Sequence, residues 1–168
     1  VLAGNIGGIW QAKRAGLQCF GDFFLNIANP VALSDYAALG VEDATLSFEI
    51  PAYDIRKLRG CMPFGVIGYG YLPLMTLRNC PEQNFITDRK GVNFPIIKPE
   101  KPGDCGQLLN SLPLYIGDRV RSFEGISHFT LRFTLESKED CLDILKTFIE
   151  KKPFDGERTA GLYFRKLI

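Results

Sequence analysis

The sequence predicts an α/β fold: a partial, half TIM-like (β/α) barrel carrying a β-hairpin insertion. Short apolar runs alternate with helix-like stretches, the order expected of βα units around a parallel sheet. No Gly-x-Gly-x-x-Gly fingerprint follows any of these runs, which favours a barrel-type arrangement over a dinucleotide-binding sheet. The chain has 168 residues, short of the roughly 200–250 that eight units need.

Each element has a local reason. Residues 1–5 read as the end of a strand. Ile6–Ala15 reads as a helix stopped by Gly16, whose freedom at positive φ suits the position after a helix. A strand over 17–24 precedes Asn29, which caps a helix that starts at Pro30 and ends at Gly40. Residues 44–49 form a third strand, and a short helix over 52–59 is opened by Pro51 and closed by Gly60. The fourth strand spans 64–69. The rhythm then breaks: extended runs at 84–87 and 92–97 flank the turn Asp88-Arg89-Lys90-Gly91, so a hairpin insertion is expected over about 76–98. Alternation resumes with a strand at 107–110, a helix at 112–124 and a strand at 128–134. Ser137 caps an amphipathic helix running to Lys151, with Cys141, Leu142, Leu145 and Phe148 on its predicted core face. Residues 161–165 read as a last strand, and Trp10 is expected to pack.

Composition narrows the function classes. At 46% hydrophobic residues, positions 1–168 can form one globular domain or part of a larger one. Twenty Lys and Arg oppose 19 Asp and Glu, a net charge of +1, which gives no overall electrostatic case for nucleic acid. No run approaches the about 18–20 apolar residues of a membrane span, and residues 1–5 lack a signal-peptide pattern. An apolar start without Met suggests a piece of a longer protein. Five cysteines at positions 19, 61, 80, 105 and 141 are odd in number and irregularly spaced, which suits a reducing, cytoplasmic setting better than a disulfide framework. No Cys-x-x-Cys occurs and His128 is the only histidine, so ordinary zinc spacing is absent, as is a nucleophile–histidine triad unless His128 serves. His128 itself reads as a hydrogen-bonded structural residue at a strand start.

Polar residues at strand ends supply the candidate site, because ligands of βα barrels bind at the carboxyl ends of the strands. Asp22 and Glu49 are the acid/base candidates, provided they converge; helix capping is their structural alternative. Arg78 joins them as a catalytic candidate because it follows an apolar run and so lies near the core edge. Asn26, Asn79, Asn110 and Arg132 are candidate substrate contacts, with a cap as the structural alternative for Asn26. Asp88 and Arg89 complete that set, as a pair suited to holding an anionic group; the alternative is that Asp88 bonds within its own turn. Asn5 reads as a cap. Cys19, Cys61 and Cys141 read as small buried hydrophobes.

Seven short segments appear in register with one known family: 1–7 (VLAGNIG), 21–26 (GDFFLN), 45–49 (TLSFE), 72–75 (LPLM), 78–81 (RNCP), 88–91 (DRKG) and 108–111 (LLNS). The ending 161–165 (GLYFR) is similar as well. With these the chain resembles the collagenase-like bacterial peptidases, family thirty-two among peptidases of unassigned type, and looks like the C-terminal region of the long members. The resemblance implies a (β/α) barrel and proteolysis, with collagen-type substrates for some members. Other members are iron–sulfur proteins that hydroxylate RNA bases or a quinone precursor without oxygen. Cys80 and Cys105 match two positions of a family cysteine set and are the metal-ligand candidates. The family's His-Gly-Ala-Leu-Cys strand end is replaced here by Gly68-Tyr69-Gly70-Tyr71-Leu72. The Cys-x-x-Cys often found before the Asp-Arg-Lys-Gly element is missing from 82–86.

These departures imply that the chain alone holds no cofactor, and that a metal or iron–sulfur cluster would belong to the full protein. Three functions follow as expectations: a domain supporting peptide or protein processing by a peptidase, part of an oxygen-independent RNA hydroxylase, or a non-catalytic binding and assembly module. The expected partners are the N-terminal remainder of the parent protein, a peptide or protein substrate, RNA under the second reading, and a second copy paired through open strand edges.

Overall fold

The computed structural model describes residues 1–58, 62–101 and 104–165. It is α/β, with one largely parallel and one antiparallel sheet. The parallel sheet takes strands β1 (Leu2–Ala3), β2 (Phe20–Gly21), β3 (Asp43–Thr45), β4 (Phe64–Gly70) and β10 (Phe129–Arg132) in that spatial order. Helices α1 (Ile6–Arg14), α2 (Pro30–Ala38) and α3 (Ala52–Ile55) connect the first four strands. Strand β9 (Leu114–Tyr115) adds to β4 antiparallel, and α4 (Lys138–Ile149) follows β10. Strands β1 and β10 are the two ends of the parallel order, so no closed barrel forms among the described residues.

Burial alternates along β1 and β2, as the two-residue strand period requires, whereas β4 is buried along its whole length. Ala3, Ala44, Phe64 and Val66 share a core with Ile9 and Ala12 of α1, Leu33 of α2 and Ile55 of α3. Their neighbours Leu2 and Phe20 stay exposed on the other face. Both predicted Asn caps are realised: Asn5 Oδ1 accepts from the Gly8 N–H and Asn29 Oδ1 from the Ala32 N–H, each at 2.9 Å.

The second sheet is antiparallel, in the order β5 (Pro73–Leu77), β8 (Gly106–Leu109), β7 (Asn93–Ile97), β6 (Phe85–Thr87). The predicted hairpin is its β6–β7 pair, but the insertion is wider than 76–98. The strand expected to resume βα alternation at 107–110 instead joins β5 and β7.

Other expectations are corrected. The helix over 112–124 is replaced by β9 and a 3-10 segment, Gly117–Ser122. Leu114, Tyr115 and Ile116 form an unbroken buried run, which a strand accommodates and an amphipathic helix does not, and Pro113 and Gly117 bracket it. Residues 161–165 form a turn rather than a strand; Gly161 takes positive φ, and Tyr163 drops from the turn into the core. On α4 the buried face is rotated from the predicted one. Phe148 is buried and packs with Ile144 on a cluster of Tyr69 and Tyr115, whereas Leu142 and Leu145 are 49% and 40% exposed. Trp10 is exposed beneath the Arg14 guanidinium, 4.4 Å from its ring centre. The closing Gly60 of the third helix and Cys61 lie outside the described residues, whereas Cys19 is buried as expected.

Ser137 and Asp140 form a reciprocal capping box at the start of α4. Ser137→Ala is expected to cost about 1 kcal/mol, read as a lower urea midpoint with an unchanged denaturant slope.

Candidate functional site

The carboxyl ends of β2 and β10 bring Asp22 and Arg132 into electrostatic reach of each other. Asp22 follows β2 directly and opens a 3-10 turn, Phe23–Leu25, where its Oδ1 accepts from the Phe23 N–H at 2.7 Å. Burial raises the Asp22 carboxyl above the usual range, opposed by that N–H and by the Arg132 charge. Arg132 ends β10. Its Nη1 donates to the Tyr71 carbonyl and its Nη2 to Gln107 Oε1, both at 3.0 Å. Because Gln107 belongs to β8, this guanidinium ties the antiparallel sheet to the carboxyl end of the parallel one. Burial lowers the Arg132 pKa, while the charges of Asp22 and Glu136 oppose that shift.

Glu136 completes this mouth. Its Oε1 accepts from the Tyr69 hydroxyl at 2.7 Å, and its Oε2 accepts from the backbone N–H groups of Thr134 and Leu135. Burial and this hydrogen bond push the Tyr69 hydroxyl far above its ordinary value. Burial, with the Glu136 charge second, also raises Tyr71. A cavity of about 430 Å³ opens here, lined by Tyr69, Tyr71 and Phe154 together with Glu136, Asp143 and Asp155.

The two predicted carboxylates line different cavities. Glu49 is exposed and borders a groove of about 300 Å³ with Asn26, Phe24, Phe48, Leu74 and Met75. Asn26 shapes the backbone there, taking the left-handed conformation at the end of the 3-10 turn with φ 52° and ψ 43°. Asn110 donates to the Leu112 carbonyl at 3.1 Å and so ties down its own loop. Arg78 and Asn79 are exposed just past β5, not at the core edge. Asp88 Oδ1 accepts from the N–H groups of Lys90 and Val92 at 2.7 and 2.9 Å, the turn-bonded alternative, and Arg89 is exposed beside it. The predicted rim is therefore divided. Asp22 and Arg132 lie in electrostatic reach of each other, Glu49 and Asn26 line a separate groove, and the hairpin residues stand on the second sheet.

Cys80 lies against Gly106, the neighbour of Cys105. A Cβ at Gly106 would collide with the Cys80 sulfur and come within 2.7 Å of the Ile97 carbonyl oxygen. Among the described residues no group of three or more His, Cys, Asp or Glu side chains is placed to hold a metal ion. Two thiols do not make the four-thiolate set of an iron–sulfur cluster.

A second polar cluster occupies the open face of the parallel sheet. Asp43 and Thr45 flank Ala44 on β3, and His128 and Thr130 flank Phe129 on β10. Between these strands, Gly65 of β4 leaves room for the imidazole: a Cβ there would stand 2.5 Å from His128 Nε2. His128 Nδ1 faces Asp43 Oδ1 at 3.4 Å and Ser127 Oγ at 2.9 Å. On its other side Nε2 lies 3.4 Å from Thr45 Oγ1, which lies 2.7 Å from Thr130 Oγ1. A cavity of about 260 Å³ opens on them, with Leu2, Phe20, Gly21 and Asp22 as further walls.

Sequence reasoning passed over Glu136, Tyr69, Gln107, Asp43, Thr45 and Thr130. The strand-end rule that selected Asp22 reaches Glu136, four residues past β10. For Asp43/Thr45 and His128/Thr130 the available signal was the two-residue spacing of polar side chains on adjacent predicted strands. No family model, curated protein or solved structure matches the chain. Among the described residues no helix is long and apolar enough to cross a membrane.

Proposed function

We propose that the chain is a half (β/α) barrel belonging to a collagenase-like peptidase, and that it captures extended peptide or protein substrate rather than cutting it alone. One observation carries this reading. Strand β5 is an edge strand of the antiparallel sheet, and it lines the groove holding Asn26, Phe48 and Glu49 with Leu74 and Met75 exposed. An edge strand offers unpaired backbone N–H and C=O groups to an extended peptide, and flanking apolar pockets select its alternate side chains. Arg132 holds that sheet in place over the strand ends through Gln107. The sequence resemblance supports the peptide class, and the departures at 68–72 and 82–86 support capture over autonomous cleavage. The hydroxylase reading needs cluster ligands beyond Cys80 and Cys105, supplied from elsewhere. The open edges β1 and β10, with Leu2 and Phe20 exposed beside them, suit pairing with the rest of the parent protein or with a second copy.

The test is fluorescence anisotropy with fluorescein-labelled gelatin, an extended collagen-type chain. Binding by the unaltered protein is expected, weakened at least about tenfold by Met75→Lys, because a lysine on an edge strand opposes strand addition. Absence of gelatin binding, or equal binding by the lysine variant, would remove the basis of this reading.

A further inference from the structure

A line of polar groups crosses the open sheet face in the order carboxylate, imidazole, hydroxyl, hydroxyl. Asp43 Oδ1 is buried and makes no hydrogen bond among the described residues, and His128 Nδ1 is the group facing it, at 3.4 Å. A proton on Nδ1 is donated to Ser127 Oγ at 2.9 Å, on the side of the ring that faces the Asp43 carboxylate. Ser127 is free to accept it, since its own hydroxyl can donate to the Phe64 carbonyl at 3.0 Å. That tautomer leaves Nε2 as an acceptor aimed at Thr45. Thr45 is only 4% exposed, so its hydroxyl has few partners to choose from: it donates to Nε2 and accepts from Thr130. Thr130, half-buried at the cavity wall, is the end of the line that a ligand can reach.

We propose that Asp43, His128 and Thr45 form a proton relay that activates the Thr130 hydroxyl as a nucleophile toward acyl esters, with the acyl group resting on Phe20 and Leu2. As Thr130 Oγ1 bonds to the carbonyl carbon, its proton passes to Thr45 Oγ1 and the Thr45 proton passes to His128 Nε2. The carbonyl electron pair moves to oxygen and returns as the alcohol leaves with the proton from Nε2. Water then attacks the acyl-threonine with the same relay as base, and the acid departs as Thr130 recovers its proton. The sum is ester plus water to acid plus alcohol, with no oxidant or metal required. Nε2 at 3.4 Å from Thr45 is long for a working hydrogen bond, as resting sites often are before substrate closes them. Asp43 is a positioning residue that fixes the tautomer and ring orientation. This chemistry needs only the open-face cavity, and it stands or falls independently of peptide capture at β5.

The experiment uses p-nitrophenyl acetate with the full chain, following nitrophenolate release and locating the acetyl group by mass spectrometry of acid-quenched digests. Acetyl-Thr130 is expected, and both His128→Gln and Thr45→Val should slow release by about 10²-fold or more, the usual span for a positioned general base. Thr130→Val should abolish it, with circular dichroism confirming that each variant is folded. Acetyl groups confined to His128 or to lysines would overturn the proposal. So would a folded Thr130→Val or Thr45→Val variant with unchanged release.

Discussion

Tyr163→Ala is expected to lower the stability of the folded chain by about 3–5 kcal/mol, the usual loss when a large aromatic ring leaves a well-packed core. The ring is 1% exposed and meets Phe123 edge-on, with ring centres 5.1 Å apart. Its hydroxyl accepts from the Ile67 N–H at 3.1 Å, and its carbonyl accepts from the Ala52 N–H at 2.9 Å. One side chain from the turn at 161–165 thus satisfies a backbone donor in the middle of β4, a strand buried along its whole length. Tyr163→Phe separates the two contributions. It keeps the ring but leaves the Ile67 N–H buried and unpaired, at an expected cost of about 1–3 kcal/mol. Urea unfolding of both variants is the check. A loss under about 1 kcal/mol for the alanine variant would show that the turn does not close the core.

What the sequence made legible follows from how local each signal is. Asn5, Asn29 and Ser137 are legible as caps because capping is decided within four residues, and all three cap their helices in the structure. The Asp88 turn was equally local. The βα order was carried by hydrophobic alternation, and five strands do lie in parallel. The failures were non-local. Leu114 to Ile116 look like a piece of helix until β4 is seen to offer Tyr69 and Gly70 as pairing partners. The face that α4 buries is set by where Tyr115 and Phe148 meet, which periodicity alone cannot specify, since Leu142 and Leu145 fit the same 3.6-residue spacing. The candidate site divides the same way. A strand-end rule found Asp22 and Arg132, because parallel strands deliver their last residues to one end. It could not foresee that Glu49 would face a separate groove, nor that Gly65 would make space for His128 beside Thr45, a residue 83 positions away in sequence.

Arg132→Met is the more consequential change at the mouth. Removing one partner from a buried charged set leaves the others uncompensated, which costs about 3–5 kcal/mol when burial is complete. Arg132 and Asp22 are only about half withdrawn from solvent, so roughly 1–3 kcal/mol is expected here, with screening by water reducing the effect. The Tyr71 carbonyl and Gln107 also lose their donor. The antiparallel sheet should then loosen over the strand ends, weakening gelatin binding alongside stability. The pH dependence identifies the cause. Burial already raises Asp22 above its unfolded value, and the Arg132 charge restrains that rise. A carboxyl with a raised folded pKa favours the native state most when protonated. Its contribution is therefore fullest below the unfolded pKa and declines as pH climbs through the folded one. Without Arg132 the folded pKa moves higher still, so Arg132→Met should lose less stability in acid, where only the hydrogen bonds to Tyr71 and Gln107 are missing, than near neutrality. Asp22→Asn, which removes the ionisable group, should restore part of the neutral-pH loss. A deficit that stays constant across pH and persists in Arg132→Met/Asp22→Asn would mean that Arg132 acts only through its hydrogen bonds to Tyr71 and Gln107, with no electrostatic coupling to the carboxylates around it.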